Sequence, residues 1–277
     1  NTFHVKRSVF SVNYIYVTHN IFSIHMVFRK AAFNHFDTFF CVGPHHNAEI
    51  EETEKIYKLK QITKYNFGYD KIDQLLKNRN KFKTNIKNHD KTVLIAPSWG
   101  KNCIIEKIGE QLLSFMVNKG WKIIIRPHSD TLRLYNSRYK KLKDKFLHYP
   151  DCKFEENISN MDSYYSSSLM ISDWSGAAFE FAFGLEKPVV FIDMPRKINN
   201  SDFDLYKIEP IEIKLREKIG ELVKIERLDN LINVLNQVYK NREKYKHKII
   251  KERKKTIYNV GKSATNGAKY LYDLVNQ

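Results

Sequence analysis

This sequence predicts an α/β fold with parallel sheets, and three observations carry that reading. A short apolar run, residues 168–171, leads into the polar turn Ser172-Asp173-Trp174-Ser175-Gly176. An apolar helix-like stretch closing at Gly184 follows, and then a second apolar run, 188–192. Strand, turn, helix and strand in that order form a βαβ unit, whose strands pair in parallel. Strand-like and helix-like segments also alternate from Lys91 to Ile192, the pattern of a doubly wound domain. Nearer the start, residues 11–17 and 38–43 are each followed by a helix-like stretch.

In chain order, residues 11–17 are rich in β-branched and aromatic side chains and read as a strand ending at Thr18-His19-Asn20. Residues 21–33 read as a helix with Arg29 and Lys30 exposed. Residues 38–43 form a second strand, Pro44-His45-His46 a turn, and 47–59 a charged helix. Adjacent histidines do not share a helix face, and no Cys or carboxylate nearby completes a ligand set, so His45-His46 is not read as a metal site. Residues 77–90, polar and rich in Lys and Asn, read as a linker or solvated boundary. The pattern then restarts: strand 91–96, turn 97–101, a helix over 104–118 closed by Gly120, and strand 121–125 running into Arg126-Pro127-His128. A basic helix over 135–146, a short strand at 152–154 and a short helix at 160–166 lead to the βαβ unit. After Ile192 the chain turns irregular. An amphipathic helix covers 228–238, and residues 239–255 carry nine Lys or Arg against two Glu. A last helix, 266–275, is entered through Gly261.

With 277 residues, 42% of them hydrophobic, the chain is long enough for about two cored domains. It opens on Asn1 rather than Met, so the sequence reads as continuing one that begins upstream. The net charge of +16 favours a polyanionic partner: nucleic acid, anionic lipid or a phosphorylated substrate. Three cysteines without a CxxC pair argue against a zinc or disulfide framework and for a reducing compartment. No apolar run reaches the ~18 residues of a spanning helix, and residues 1–28 lack the order of a signal peptide.

Ligands of doubly wound domains bind beyond the carboxyl ends of the strands. Three polar turns fall there: Ser98-Trp99-Gly100-Lys101, Arg126-Pro127-His128 and Ser172 to Gly176. A helix start presents unpaired amides and a partial positive charge, which suits a phosphate. Ser172 and Ser175 add hydroxyl donors, Gly176 allows close approach, and Asp173 is assigned to capping the helix that follows it. The bland alternative is that the turn is only an N-cap. Together the three rims fit a phosphorylated ligand, most naturally a nucleotide diphosphate. No GxxxxGK[ST] loop is present, which argues against an ordinary ATPase. His19, where a strand gives way to a helix, is either a functional imidazole or a structural one.

Thr18-His19, Ala96-Pro97-Ser98-Trp99, Arg126-Pro127-His128 and Ser172-Asp173-Trp174-Ser175-Gly176 with Glu180 resemble the CDP-glycerol glycerophosphotransferase family, the teichoic-acid polymerases and their capsule-synthesis relatives. The resemblance covers about residues 17–193. It implies a GT-B architecture of two Rossmann-like domains facing a cleft, the first incomplete in this chain. Residues 1–78 would be its C-terminal part, 79–90 a linker, 91–260 the donor-binding domain and 261–277 a helix at the interface. It further implies metal-independent transfer with no cofactor, from CDP-glycerol or a similar CDP-polyol to a polymer or lipid-linked acceptor. In this resemblance His19 matches the base for the acceptor hydroxyl and His128 the group stabilising the donor pyrophosphate. Ser98, Trp99 and Arg126 contact the donor, Ser172, Asp173, Ser175 and Gly176 form its phosphate-binding turn, and Glu180 reaches the ribose. Asn20 stands where the family has Gly after the histidine, and Gly100-Lys101 where it has Arg after the Trp. The expected location is cytoplasmic, peripheral on the inner face of the cell membrane through the basic 239–255 region, with no nucleic acid. Two further readings remain open: a nucleotide-sugar transferase or epimerase on the same architecture, and a non-catalytic basic protein or scaffold binding polyanions or membranes.

Overall fold

The computed structural model describes residues 7–83 and 91–276. The chain divides into two compact units, one of Asn1–Gln74, Lys197–Lys214 and Glu252–Gln277, the other of Leu75–Arg196 and Leu215–Lys251.

The first unit is built on three short parallel strands, β1 (Ile15–Val17), β2 (Thr38–Cys41) and β3 (Thr63–Asn66), in the order β1-β2-β3. Helix α1 spans only Ile24–Val27, a correction to the helix expected over 21–33. Phe28 turns extended, and Ala31 has φ +60°. The reason is tertiary. Phe28 and Phe33 both meet the Tyr16 ring, at centroid distances of 6.3 and 4.8 Å, with Phe36 and Phe39 at 5.3 and 4.9 Å, and a continuous helix would turn Phe28 and Phe33, five residues apart, to faces about 140° from each other. Helix α2 (Pro44–Tyr57) begins earlier than expected, with Pro44 at its first position, where a missing N–H costs nothing. Both histidines of the pair therefore lie in its first turn, His46 buried and His45 half-buried. His45 Nε2 meets the Ile21 carbonyl, His46 Nε2 the Phe22 carbonyl, and His46 Nδ1 accepts from the Val42 N–H. Helix α3 (Asp70–Lys83) occupies residues 79–83, which the sequence reading gave to a linker; residues 84–90 lie outside the described residues.

The second unit carries a six-stranded sheet. Its elements are β4 (Thr92–Ile95), α4 (Ile104–Met116), β5 (Lys122–Ile125), α5 (Ser129–Leu134), α6 (Asn136–Phe146), β6 (Cys152–Phe154), α7 (Asp162–Ser166), β7 (Leu169–Ser172), α8 (Gly176–Leu185), β8 (Val189–Ile192), α9 (Ile211–Ile219), β9 (Gly220–Val223), α10 (Leu231–Lys240) and α11 (Arg242–Thr256). Helix α12 (Ser263–Val275) follows, within the first unit's residues. The strand order is β6-β5-β4-β7-β8-β9, and every pair is parallel. Strands β4, β7 and β8 are buried along their whole length, as expected of central strands covered on both faces.

Gly184 does not end α8, as the sequence suggested. The helix runs on to Leu185 and is capped by Glu186 in the left-handed conformation at φ +59°. A Cβ at Gly184 would lie 2.6 Å from the Leu75 side chain, so the glycine is there for close helix contact. Strand β9, in the stretch read as irregular, is half apolar and only four residues long; its pairing with β8 makes it a strand. No helix among the described residues is long and apolar enough to cross a membrane.

Candidate functional site

The order of the large sheet locates the site. From β4 the chain steps outward through β5 and β6, then returns to the other side of β4 and steps outward through β7, β8 and β9. The switch lies between β4 and β7, where the helices after the two strands leave on opposite faces and open a crevice at the carboxyl ends. The three polar turns follow β4, β5 and β7, which are neighbours, so all three stand on one rim.

Two of these turns are tied together from beneath. Ala96 N–H donates to the Ile171 carbonyl at 3.0 Å, and Ser172 Oγ donates to the Ala96 carbonyl at 2.7 Å. The Asp173 carboxylate accepts from the Ser98 N–H at 2.6 Å and from the Ile104 N–H at 2.9 Å. Asp173 is therefore a cap, but of α4 rather than of its own helix. The N-cap residue of α4 is Cys103, whose side chain makes no capping bond, and the neighbouring strand supplies the missing acceptor. Burial pushes the Asp173 carboxyl upward while these two amides pull it down. Ser172, fully buried, is spent on the same framework and is not offered to a ligand.

Helix α8 begins at a buried Ser175 and a half-buried Gly176. Ser175 is its N-cap and makes no side-chain capping bond, and a Cβ built on Gly176 would meet nothing within 4 Å. The first-turn amides of Gly176 and Ala177 lie ahead of any carbonyl the helix itself can offer. Trp174 anchors the turn: its Nε1–H donates to the Met194 carbonyl at 2.7 Å, and the Arg216 guanidinium lies over its ring at 4.1 Å. Arg216 is buried, reaches the Ile192 carbonyl and pairs with Asp193 at 3.3 Å. Sequence reasoning missed this cation because it lies on α9, in the stretch after Ile192 read as irregular.

Arg126 is not a free cation on the rim. It is buried, and its guanidinium donates to Glu155 at 3.2 Å and to the carbonyls of Ile158 and Asn160, and lies over the Tyr164 ring at 5.1 Å. It holds the 155–163 segment in place. Glu180 is also buried; its charge, with those of Arg126 and Glu155, bears on Tyr164.

His128 is half-exposed at the N-cap of α5, and its Nδ1 accepts from the Asp130 N–H at 3.1 Å. An amide can only donate, so in the neutral imidazole the proton is on Nε2. The Nε2–H of this ring is thus a donor. Trp99 lies 6.1 Å from it, centroid to centroid, and 6.1 Å from Tyr135. Gly100, at φ +102°, makes the turn that carries Trp99, a conformation a side chain would strain.

His19 belongs to the first unit and is exposed just after β1. Its Nδ1 lies 3.0 Å from the Tyr16 hydroxyl, the Phe28 ring meets its ring edge-on at 6.0 Å, and the Tyr69 hydroxyl donates to its carbonyl at 2.8 Å. Among the described residues no cluster of three His, Cys, Asp or Glu side chains could hold a metal ion.

The model of the CDP-Glycerol:Poly(glycerophosphate) glycerophosphotransferase family matches residues 27–273. The chain belongs to this family. All three rim turns fall inside the match, while Tyr16 and His19 precede it. No curated protein matches. Among solved structures the fold is similar to that of the wall teichoic acid polymerase TagF (TM-score 0.54, 15% identity, 87% of this chain and 58% of that one). A TagF variant matches over 95% of this chain and 68% of that one, with TM-score 0.55 and 16% identity. The UDP-GlcNAc 2-epimerase from Neisseria meningitidis bound to UDP-GlcNAc matches at TM-score 0.55 and 17% identity, over 86% of this chain and 62% of that one. The chain thus spans little more than half the length of the first of these, and the GT-B-like α/β fold is common to all.

Proposed function

We propose that this protein transfers a glycerol-phosphate unit from CDP-glycerol, or a related CDP-polyol, to a hydroxyl of a polymer or lipid-linked acceptor of the cell envelope. The observation that carries the reading is the convergence of three turns of a family member on the switch-point crevice, with the start of α8 open at Gly176 and a half-exposed histidine whose Nε2 carries a donor hydrogen.

In this reading the donor diphosphate lies against the α8 amides and His128. The acceptor oxygen attacks the phosphorus that bears glycerol, the bond from that phosphorus to the bridging oxygen breaks, and CMP leaves with the electron pair. His128 Nε2–H and the helix amides meet the charge that builds on the leaving group. His19 takes the proton of the acceptor hydroxyl. These groups supply charge stabilisation and base without a metal ion. The exposed basic face of α11, with Arg242, Lys244, Lys248, Lys251, Lys254 and Lys255, is suited to an anionic membrane surface on the cytoplasmic side, where a lipid-linked acceptor would lie.

The test is product identity. The intact protein, supplied in turn with CDP-glycerol, CDP-ribitol and UDP-N-acetylglucosamine, is expected to release CMP from a CDP-polyol and nothing from the UDP-sugar. Release of UDP instead would transfer the assignment to a nucleotide-sugar enzyme of the same fold.

A further inference from the structure

The surroundings of His19 go further than its assignment as a base. The residue is held at three points within one unit. Tyr16 meets Nδ1, Phe28 packs edge-on against the ring, and Tyr69 fixes the backbone carbonyl. Thr18, between Tyr16 and His19, is buried and donates its hydroxyl to the Phe40 carbonyl, so the strand end that carries the histidine is pinned to its neighbour. Tyr16 is itself immobilised. Its ring is buried among Phe28, Phe33, Phe36 and Phe39, and its hydroxyl is the polar tip of an otherwise aromatic cluster.

We propose that Tyr16 is a positioning residue for the transfer reaction, its hydroxyl holding His19 Nδ1 so that Nε2 faces the acceptor. The inference rests on His19 being the base. Burial pushes the Tyr16 phenol above the usual tyrosine range, so it remains a neutral hydroxyl that can donate or accept. When Nε2 takes the acceptor's proton, the imidazolium carries a hydrogen on each nitrogen. The Nδ1–H then donates to Tyr16 Oη, a charge-assisted bond stronger than the neutral one it replaces. The Tyr16 phenol meets the ring and the Tyr69 phenol meets the carbonyl. The hydroxyl therefore favours the protonated form of the base, the form produced as the reaction proceeds.

Tyr16→Phe keeps the ring and its packing and removes only the oxygen. In the intact protein with CDP-glycerol as donor, CMP release is expected to fall about tenfold in kcat with KM for the donor unchanged. The acid limb of the kcat profile is expected to move to lower pH, because the imidazolium has lost a partner. A residue that only packed would leave that limb in place. If His19→Ala abolishes turnover while Tyr16→Phe has wild-type kcat and an unmoved limb, the positioning role is wrong and the base survives. If His19→Ala turns over normally, the base and the positioning role fall together. Should Tyr16→Phe fold poorly, 15N shifts of His19 in the unmodified protein decide: Nδ1 is expected to show a hydrogen-bonded signal, and a free Nδ1 overturns the proposal.

Discussion

Two histidines stand just after parallel strands, one in each unit, and they are held differently. His128 Nδ1 receives a backbone amide at 3.1 Å, whereas His19 Nδ1 faces a phenol at 3.0 Å. The amide is an obligate donor and leaves Nε2–H as the only neutral form. The phenol is ambidextrous and permits a lone pair on either nitrogen. One ring is therefore built to donate and cannot act as a base at Nε2 in that state; the other can accept a proton at that nitrogen. The lesson is that a histidine's place at a strand end locates it, while the group behind the ring sets its chemistry.

The sharpest way to break this comparison is to remove both rings in turn. His19→Ala is expected to lower CMP release about 10²–10⁴-fold, the usual contribution of a positioned base. His128→Ala is expected to cost about 10²–10³-fold, as for loss of a donor to a developing charge. His128→Gln, which restores an N–H, should recover part of that loss and keep the acid limb of the wild-type profile, since His128 donates in either protonation state. An acid limb that disappears in His128→Gln would reverse the two roles.

Arg126 sharpens the comparison from beneath the rim. Truncating it strands the buried Glu155 carboxylate, so Arg126→Ala is expected to lose about 3–5 kcal/mol of stability in urea denaturation. The double variant with Glu155→Gln should lose less. A stable Arg126→Ala protein with a selectively raised donor KM would return the guanidinium to the ligand. The smallest effect is expected at Ser172. Its hydroxyl serves the Ala96 carbonyl, and Ser172→Ala should cost about 1 kcal/mol with donor KM unchanged.

Much of the second unit was legible in the sequence, because its central strands are apolar runs bounded by turn residues, and burial on both faces leaves little room for another pattern. The residues over 21–33 were misread because helical periodicity there competes with an aromatic cluster assembled from distant positions. Strand β3, mostly exposed, and strand β9, half apolar, left little pattern to read. The rim motifs were found by residue type, but three of their side chains have partners that the sequence did not indicate. Asp173 caps a helix that starts 69 residues earlier in the chain, Ser172 braces a neighbouring strand, and Arg126 holds a loop. None of these partners is local, so no spacing rule reveals them.

By itself, then, the sequence determined that strands and helices alternate, that the sheets are parallel and that polar turns gather at one rim. Local propensity and burial pattern are properties of short segments, and they suffice for that. Which turn residues remain for a ligand, and which nitrogen of each histidine is left for chemistry, was decided only when the sheet order brought β4 beside β7 and packed Tyr16 behind His19. Hydrogen-bond partners are chosen by proximity in space, and that proximity exists only in the folded chain.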